Sequence, residues 1–203
     1  MKSILTPPHT SWTHRFVRIL VRPLVGTPVT PNVLTTARLI IGLLACALFA
    51  RGDESGNLWG GIAWTVSCLL DYADGELARQ GGLTSRWGHQ YDYYSDVAIN
   101  SLFFLAIGFD LAGGPFGQSA IVLGGLACLS IAVASILSEQ LELESDSNDN
   151  AYSGVFGFDF EDLLFLFGPA AWFGLLSYIL IGAAIVAPIL AIVTWIRLQK
   201  SRQ

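Results

Sequence analysis

Four aspartates, Asp71, Asp74, Asp92 and Asp96, lie in one polar stretch, DYADGELARQGGLTSRWGHQYDYYSD, of an otherwise apolar chain. With helices on both sides, Asp71 and Asp74 share a face at i, i+3, and Asp92 and Asp96 share one at i, i+4. The Gly81-Gly82 pair between them permits a bend that turns one helix back along the other. The four carboxylates are therefore predicted to converge. Unneutralised, such a cluster is very unfavourable beside a membrane. Hard divalent cations relieve it, and an all-oxygen ligand set suits magnesium, calcium or manganese.

The same stretch carries, without a departure, the signature D-x2-D-G-x2-A-R-x8-G-x3-D-x3-D, as Asp71, Asp74, Gly75, Ala78, Arg79, Gly88, Asp92 and Asp96. On these residues the chain resembles the CDP-alcohol phosphotransferases, also called CDP-alcohol phosphatidyltransferases. The motif spans only residues 71–96, and the helices predicted around it suit the family's six-span membrane domain. The resemblance implies a phospholipid-synthesising transferase. A CDP-linked alcohol, usually CDP-diacylglycerol, would react with an acceptor hydroxyl to give a phosphodiester and CMP. It also implies two divalent cations, magnesium or manganese, held by Asp71, Asp74, Asp92 and Asp96, with Asp96 doubling as general base. Two metals about 3.5–4 Å apart can clamp the attacking and leaving oxygens of an in-line displacement. Related enzymes pair as homodimers through membrane helices.

Gly75 and Ala78 fall on the face of Asp71 and Asp74, and Gly88 lies one turn before Asp92. Small side chains there let a CDP-alcohol approach the backbone, and Arg79 is placed to contact phosphate. Helix packing is the other reading of the glycines. Interfacial anchoring is the default for Tyr91 to Tyr94, and His89 is assigned no role.

The helices that must position these residues are legible from composition. Of 203 residues, 53% are hydrophobic and 13% charged, and the mean hydropathy is +0.54, which favours an integral membrane protein of one domain over a soluble globule. Cys46, Cys68 and Cys128 all fall in apolar runs and read as small buried hydrophobes, not as a disulfide or zinc framework. No secretory signal peptide is visible in residues 1–30. The expected fold is all-α: six transmembrane helices over residues 31–197, an amphipathic interfacial segment over 1–30, and a cytoplasmic tail over 198–203.

Along the chain, residues 11–24 place Trp12, Phe16, Ile19 and Leu20 at helical spacing beside Arg15, Arg18 and Arg22, a pattern for the membrane interface. A first span is expected over 32–50, opened by Thr30 as cap and Pro31 in the first turn. Its Asn32, Thr35 and Arg38 lie near one face and read either as capping and snorkelling or as the lining of the nucleotide end. Further spans are expected over 58–77, 88–109 and 118–137, with Gly56 and Gly60 allowing close helix contact. The apolar block 163–196 is too long for one span and is expected to fold as a hairpin at 174–177, with a possible kink at Pro188.

Basic residues cluster at Lys2 to Arg22, at Arg79 and Arg86, and at Arg197 to Arg202, which six spans put on one side. The positive-inside rule then places both termini and the motif in the cytoplasm, at the inner or plasma membrane of a prokaryote. Between Arg86 and Arg197 there is no lysine or arginine, whereas Glu139, Glu142, Glu144, Asp146, Asp149, Asp159, Glu161 and Asp162 follow span four. A phosphorylated acceptor calls for fixed cations, so a neutral or cationic acceptor such as inositol, serine or choline is expected. The acids also read as a solvated loop, with Asp159 and Asp162 capping helix five. The alternative within the family is a glycerol-phosphate- or inositol-phosphate-type acceptor. Outside it stand a divalent-metal transporter, which predicts acids spread through the bilayer depth, and a non-catalytic scaffold.

Overall fold

The computed structural model describes residues 5–6, 11–144, 154–155 and 160–202. Seven α-helices are described: α1 (Trp12–Val21), α2 (Pro31–Phe49), α3 (Glu54–Gly81), α4 (Arg86–Ala112), α5 (Gln118–Glu144), α6 (Phe167–Trp172) and α7 (Leu176–Ser201). A 3-10 turn, Arg22–Leu24, ends α1, and a longer 3-10 stretch, Phe160–Leu166, leads into α6. Two short strands, β1 (Leu5–Thr6) and β2 (Gly154–Val155), pair antiparallel with Leu5 opposite Val155.

The helix ends follow local chemistry. Thr30 precedes α2 and Pro31 opens it, although the Thr30 side chain makes no capping hydrogen bond. Asp53 caps α3 by accepting from the Gly56 N–H, and Ser85 caps α4 by accepting from the Gly88 N–H at 3.0 Å. Asp53 lies outside the expected spans. The Gly56 N–H, then the Arg51 guanidinium, hold its carboxyl below the usual range. Between α3 and α4, Gly82 takes φ +63°, and the Leu83 N–H closes on the Ala78 carbonyl at 2.9 Å. This left-handed residue is the bend expected at Gly81-Gly82. Gly174, at φ +68°, makes the equivalent stop between α6 and α7, as the hairpin expectation requires.

α3 packs against α1, α2 and α6, and α2 in turn packs against α4, which packs together with α5 and α7. Where α2 meets α3, a side chain at Gly56 would run into the Leu48 carbonyl, and one at Gly60 would lie 3.0 Å from the Phe49 ring. The core is aromatic: Trp64 lies 4.3 Å from Phe103, and Phe103 stacks on Phe167 at 4.9 Å.

Among the described residues, four helices, α2, α4, α5 and α7, are long and apolar enough to cross a membrane. α3 has the length, with 28 residues, but carries the acids and Arg79. The expected fifth span differs more. Asp162–Trp172 is a short apolar helical segment, on the order of 20 Å against a hydrocarbon core of about 30 Å. It runs antiparallel along α3. Tyr72 donates to Asp162 at 3.0 Å, Trp64 to the Leu164 carbonyl at 2.8 Å, and Trp172 to the Leu58 carbonyl at 3.2 Å. Asp162 is thus buried against α3 as well as lying in the first turns of this segment. Asp146, Asp149 and Asp159 lie outside the described residues. α5 continues to Glu144, so the start of the expected acidic loop is helical, and α7 runs through Pro188 to Ser201.

Candidate active site

The two halves of the polar stretch do meet. α3 delivers Asp71, Asp74, Gly75, Ala78 and Arg79 from its last three turns, and α4 delivers Gly88, Asp92 and Asp96 from its first three. A cleft opens among them, walled by Asp74, Gly75, Ala78, Arg79, Gly88 and Asp92, and closed on a third side by Asn32 and Thr35 of α2. Of the three polar residues expected near one face of α2, Asn32 and Thr35 thus line the cleft, and Arg38 does not. Thr35 is buried and donates to Asp74 Oδ2 at 2.7 Å, which fixes that carboxylate. A side chain at Gly88 would lie 3.1 Å from Asn32 Oδ1, so the bare backbone keeps α2 and α4 close at the rim.

Carboxylate oxygens of Asp71, Asp74 and Asp92 all lie within 4.8 Å of one another. Ligand oxygens on opposite sides of a hard cation are about 4–5 Å apart, so this trio fits one. Asp92 Oδ1 is buried and has no hydrogen-bond partner among the described residues, a lone pair suited to such an ion. Asp96 lies outside this trio and is ion-paired with Arg38. Arg38 is 3% exposed, with Nε 3.3 Å from Asp71 Oδ1 and Nη1 3.7 Å from Asp92 Oδ1. One guanidinium from α2 thus faces three of the four aspartates. An intramembrane arginine is the signal that pointed to it; spacing within α2 could not say which carboxylates it would reach.

Sequence reasoning also left Glu76 unassigned. It is 1% exposed and meets Arg79 at 3.2 Å. Its other partners come from α1, where the expected stripe of arginines divides. Arg15 and Arg22 are exposed, but Arg18 turns inward to Glu76. Trp12, Phe16, Ile19 and Leu20 form the exposed apolar face of that helix. His89 lies outside the trio, 3.5 Å from Glu139 of α5.

A family profile described as CDP-alcohol phosphatidyltransferase matches residues 28–199. A phosphatidylinositol phosphate synthase of Streptomyces avermitilis is 36% identical over 99 residues, which are 49% of this chain and 38% of that protein. The chain thus aligns with little more than a third of that relative's length. The crystal structure of Mycobacterium tuberculosis phosphatidylinositol phosphate synthase with CDP-DAG bound superposes with a TM-score of 0.64. That match covers 92% of each chain at 18% identity, a likeness of fold.

Proposed function

The chain belongs to the CDP-alcohol phosphatidyltransferase family, and from that premise we propose that it transfers a phosphatidyl group from CDP-diacylglycerol to the hydroxyl of a small polar acceptor, releasing CMP. The observation that carries this reading is the convergence of Asp71, Asp74 and Asp92 on a cleft walled by Gly75, Ala78, Arg79 and Gly88. Asp71, Asp74, Asp92 and Asp96 would hold two divalent cations, magnesium or manganese. When bound, these neutralise pyrophosphate charge and acidify a hydroxyl. Thr35 holds Asp74 in place from α2. Arg79 takes a phosphate oxygen of the donor, and the bare faces of Gly75, Ala78 and Gly88 admit the nucleotide. Asn32 borders the same space. Asp96 accepts the acceptor's proton as its oxygen bonds to the lipid-bearing phosphorus and the bond from that phosphorus to CMP breaks. The acids cluster at one end of two helices, which suits an interfacial site better than an ion path through the bilayer.

In this reading α3 also crosses, and the segment Phe160–Trp172, packed along α3 and shorter than the hydrocarbon core, makes the sixth pass where the bilayer thins around it. The basic groups support a cleft and both termini on the cytoplasmic side. The acceptor is neutral or cationic, because no lysine or arginine lies between Arg86, the first residue of α4, and Arg197. A second reading, an inositol-phosphate acceptor, is favoured by the names of the two similar proteins. CMP release from CDP-diacylglycerol by purified protein with magnesium or manganese decides between them. The panel is inositol, serine, choline, glycerol 3-phosphate and inositol phosphate, with Asp96→Asn as control. Turnover with an unphosphorylated acceptor supports the first reading. Selective turnover of a phosphorylated one establishes the second, and no release with any acceptor sinks both.

A further inference from the structure

Glu76 occupies an unspecified position inside the signature and does not wall the cleft. Its carboxylate is nonetheless buried among basic side chains from two elements. From α1, His14 Nδ1 lies 3.3 Å from Oε1, and Arg18 reaches Oε2 with Nε and Oε1 with Nη2, both at 3.3 Å. From α3 itself, Arg79 Nη2 donates to Oε1 at 3.2 Å. α1 is held against this group: Gln80 donates to the Arg18 carbonyl at 3.1 Å, and Val17 and Val21 pack with Tyr72, Ala73 and Leu77.

A free arginine samples many rotamers, few of which aim at one phosphate. Arg79 has its choice narrowed from two sides. Glu76 binds one edge of the guanidinium, and the group lies over bare Gly75, where an added Cβ would sit 3.3 Å from Nη2. A buried carboxylate left without Arg18 would be costly, so α1 sustains the arrangement by supplying that guanidinium, with His14 beside it.

We propose that Glu76 is a positioning residue for Arg79, kept in place by α1, so that the grip on the donor's phosphates depends on a helix outside the cleft. This rests on the phosphate-binding reading of Arg79 given above. The test is calorimetric titration of CDP, with magnesium present, into full-length wild type, Glu76→Gln, Arg79→Ala and the double variant, with thermal midpoints in parallel. Glu76→Gln is expected to weaken CDP about tenfold, the loss of one charge-assisted contact. Arg18→Gln is expected to act in the same direction by less. Added to Arg79→Ala, Glu76→Gln should change nothing further. Unchanged CDP binding in Glu76→Gln overturns the proposal, and so does an equal further loss in the double variant. If Arg79→Ala binds CDP like wild type, the phosphate-binding reading itself fails. If Glu76→Gln does not fold, Arg18→Gln alone and combined with Arg79→Ala carries the same comparison.

Discussion

The two ends of α3 use small residues for opposite purposes. At its N-terminal end, Gly56, Gly60 and Gly61 let other chain segments touch the helix. A side chain at Gly61 would collide with the Trp172 indole and lie 2.9 Å from the Gly168 carbonyl. At its C-terminal end, the three atoms nearest to a side chain at Gly75 all belong to the Arg79 guanidinium, at 3.3 Å or more, and Gly82, which caps the helix, faces nothing within 4 Å. The first end is closed by packing and the second held open by charge. A glycine in a membrane helix is therefore a contact in one turn and a space in another, and only its neighbours tell which.

Substitutions should separate the two ends, and the largest effect belongs to the carboxylates. Asp74→Asn should lower CMP release about a hundredfold or more, with the protein still folded. Activity near wild type would remove Asp74 from the chemistry. Next comes Gly61→Val, where the branched side chain meets the Trp172 indole and the Gly168 carbonyl. Overpacking of this kind costs about 1–3 kcal/mol, so a thermal melt should show a lowered midpoint while turnover per folded molecule is retained. A midpoint equal to wild type would mean that the contact between α3 and α6 is loose.

Gly75→Ala should behave in the reverse way. The methyl group has room to be accommodated if Arg79 moves by a few tenths of an ångström, so the midpoint should barely change. The Michaelis constant for the CDP donor should rise about three- to tenfold, the cost of a displaced phosphate ligand. Comparable losses of stability in Gly75→Ala and Gly61→Val would erase the distinction between the two ends.

The smallest effect is expected at Asp53, where the Gly56 N–H and Arg51 depress the folded carboxyl's pKa below its usual 3.8. A depressed folded value contributes stability above the unfolded pKa, and this is lost as pH falls through the folded one. Asp53→Ala should therefore melt slightly below wild type near neutral pH, with the gap narrowing below pH 3.8. A gap that stays constant across that range would assign the effect to something other than the carboxylate.

Much of this molecule is legible along the chain because its determinants are local. Asp71 with Asp74, and Asp92 with Asp96, share faces through helical periodicity alone. The Gly82 bend and the Gly174 stop follow from backbone conformations that glycine adopts freely. Pro31 opens α2 at the position where a missing N–H costs nothing. The apolar lengths of α2, α4, α5 and α7 follow from composition. The 3-10 form of Phe160–Leu166 does not, because an apolar run of that length carries no period strong enough to separate it from an α-helix.

Three features depended on what lies across the bundle. Asp96 lies outside the trio and meets Arg38, which comes from a different helix, in an ion pair. Arg18 leaves the expected interfacial stripe because Glu76, 58 positions away, offers a buried carboxylate. Gly61 is a contact because Gly168 and Trp172 arrive from the far end of the chain. Periodicity places residues on a face, and charge and size say what that face can accept. Which partner meets it is a matter of long-range packing, where a few ångströms decide between an ion pair, a metal ligand and an empty wall. The family of this protein was thus written in the spacing of eight residues. The sharing of Arg38, Glu76 and Asp96 among neighbouring helices was settled only when those helices packed.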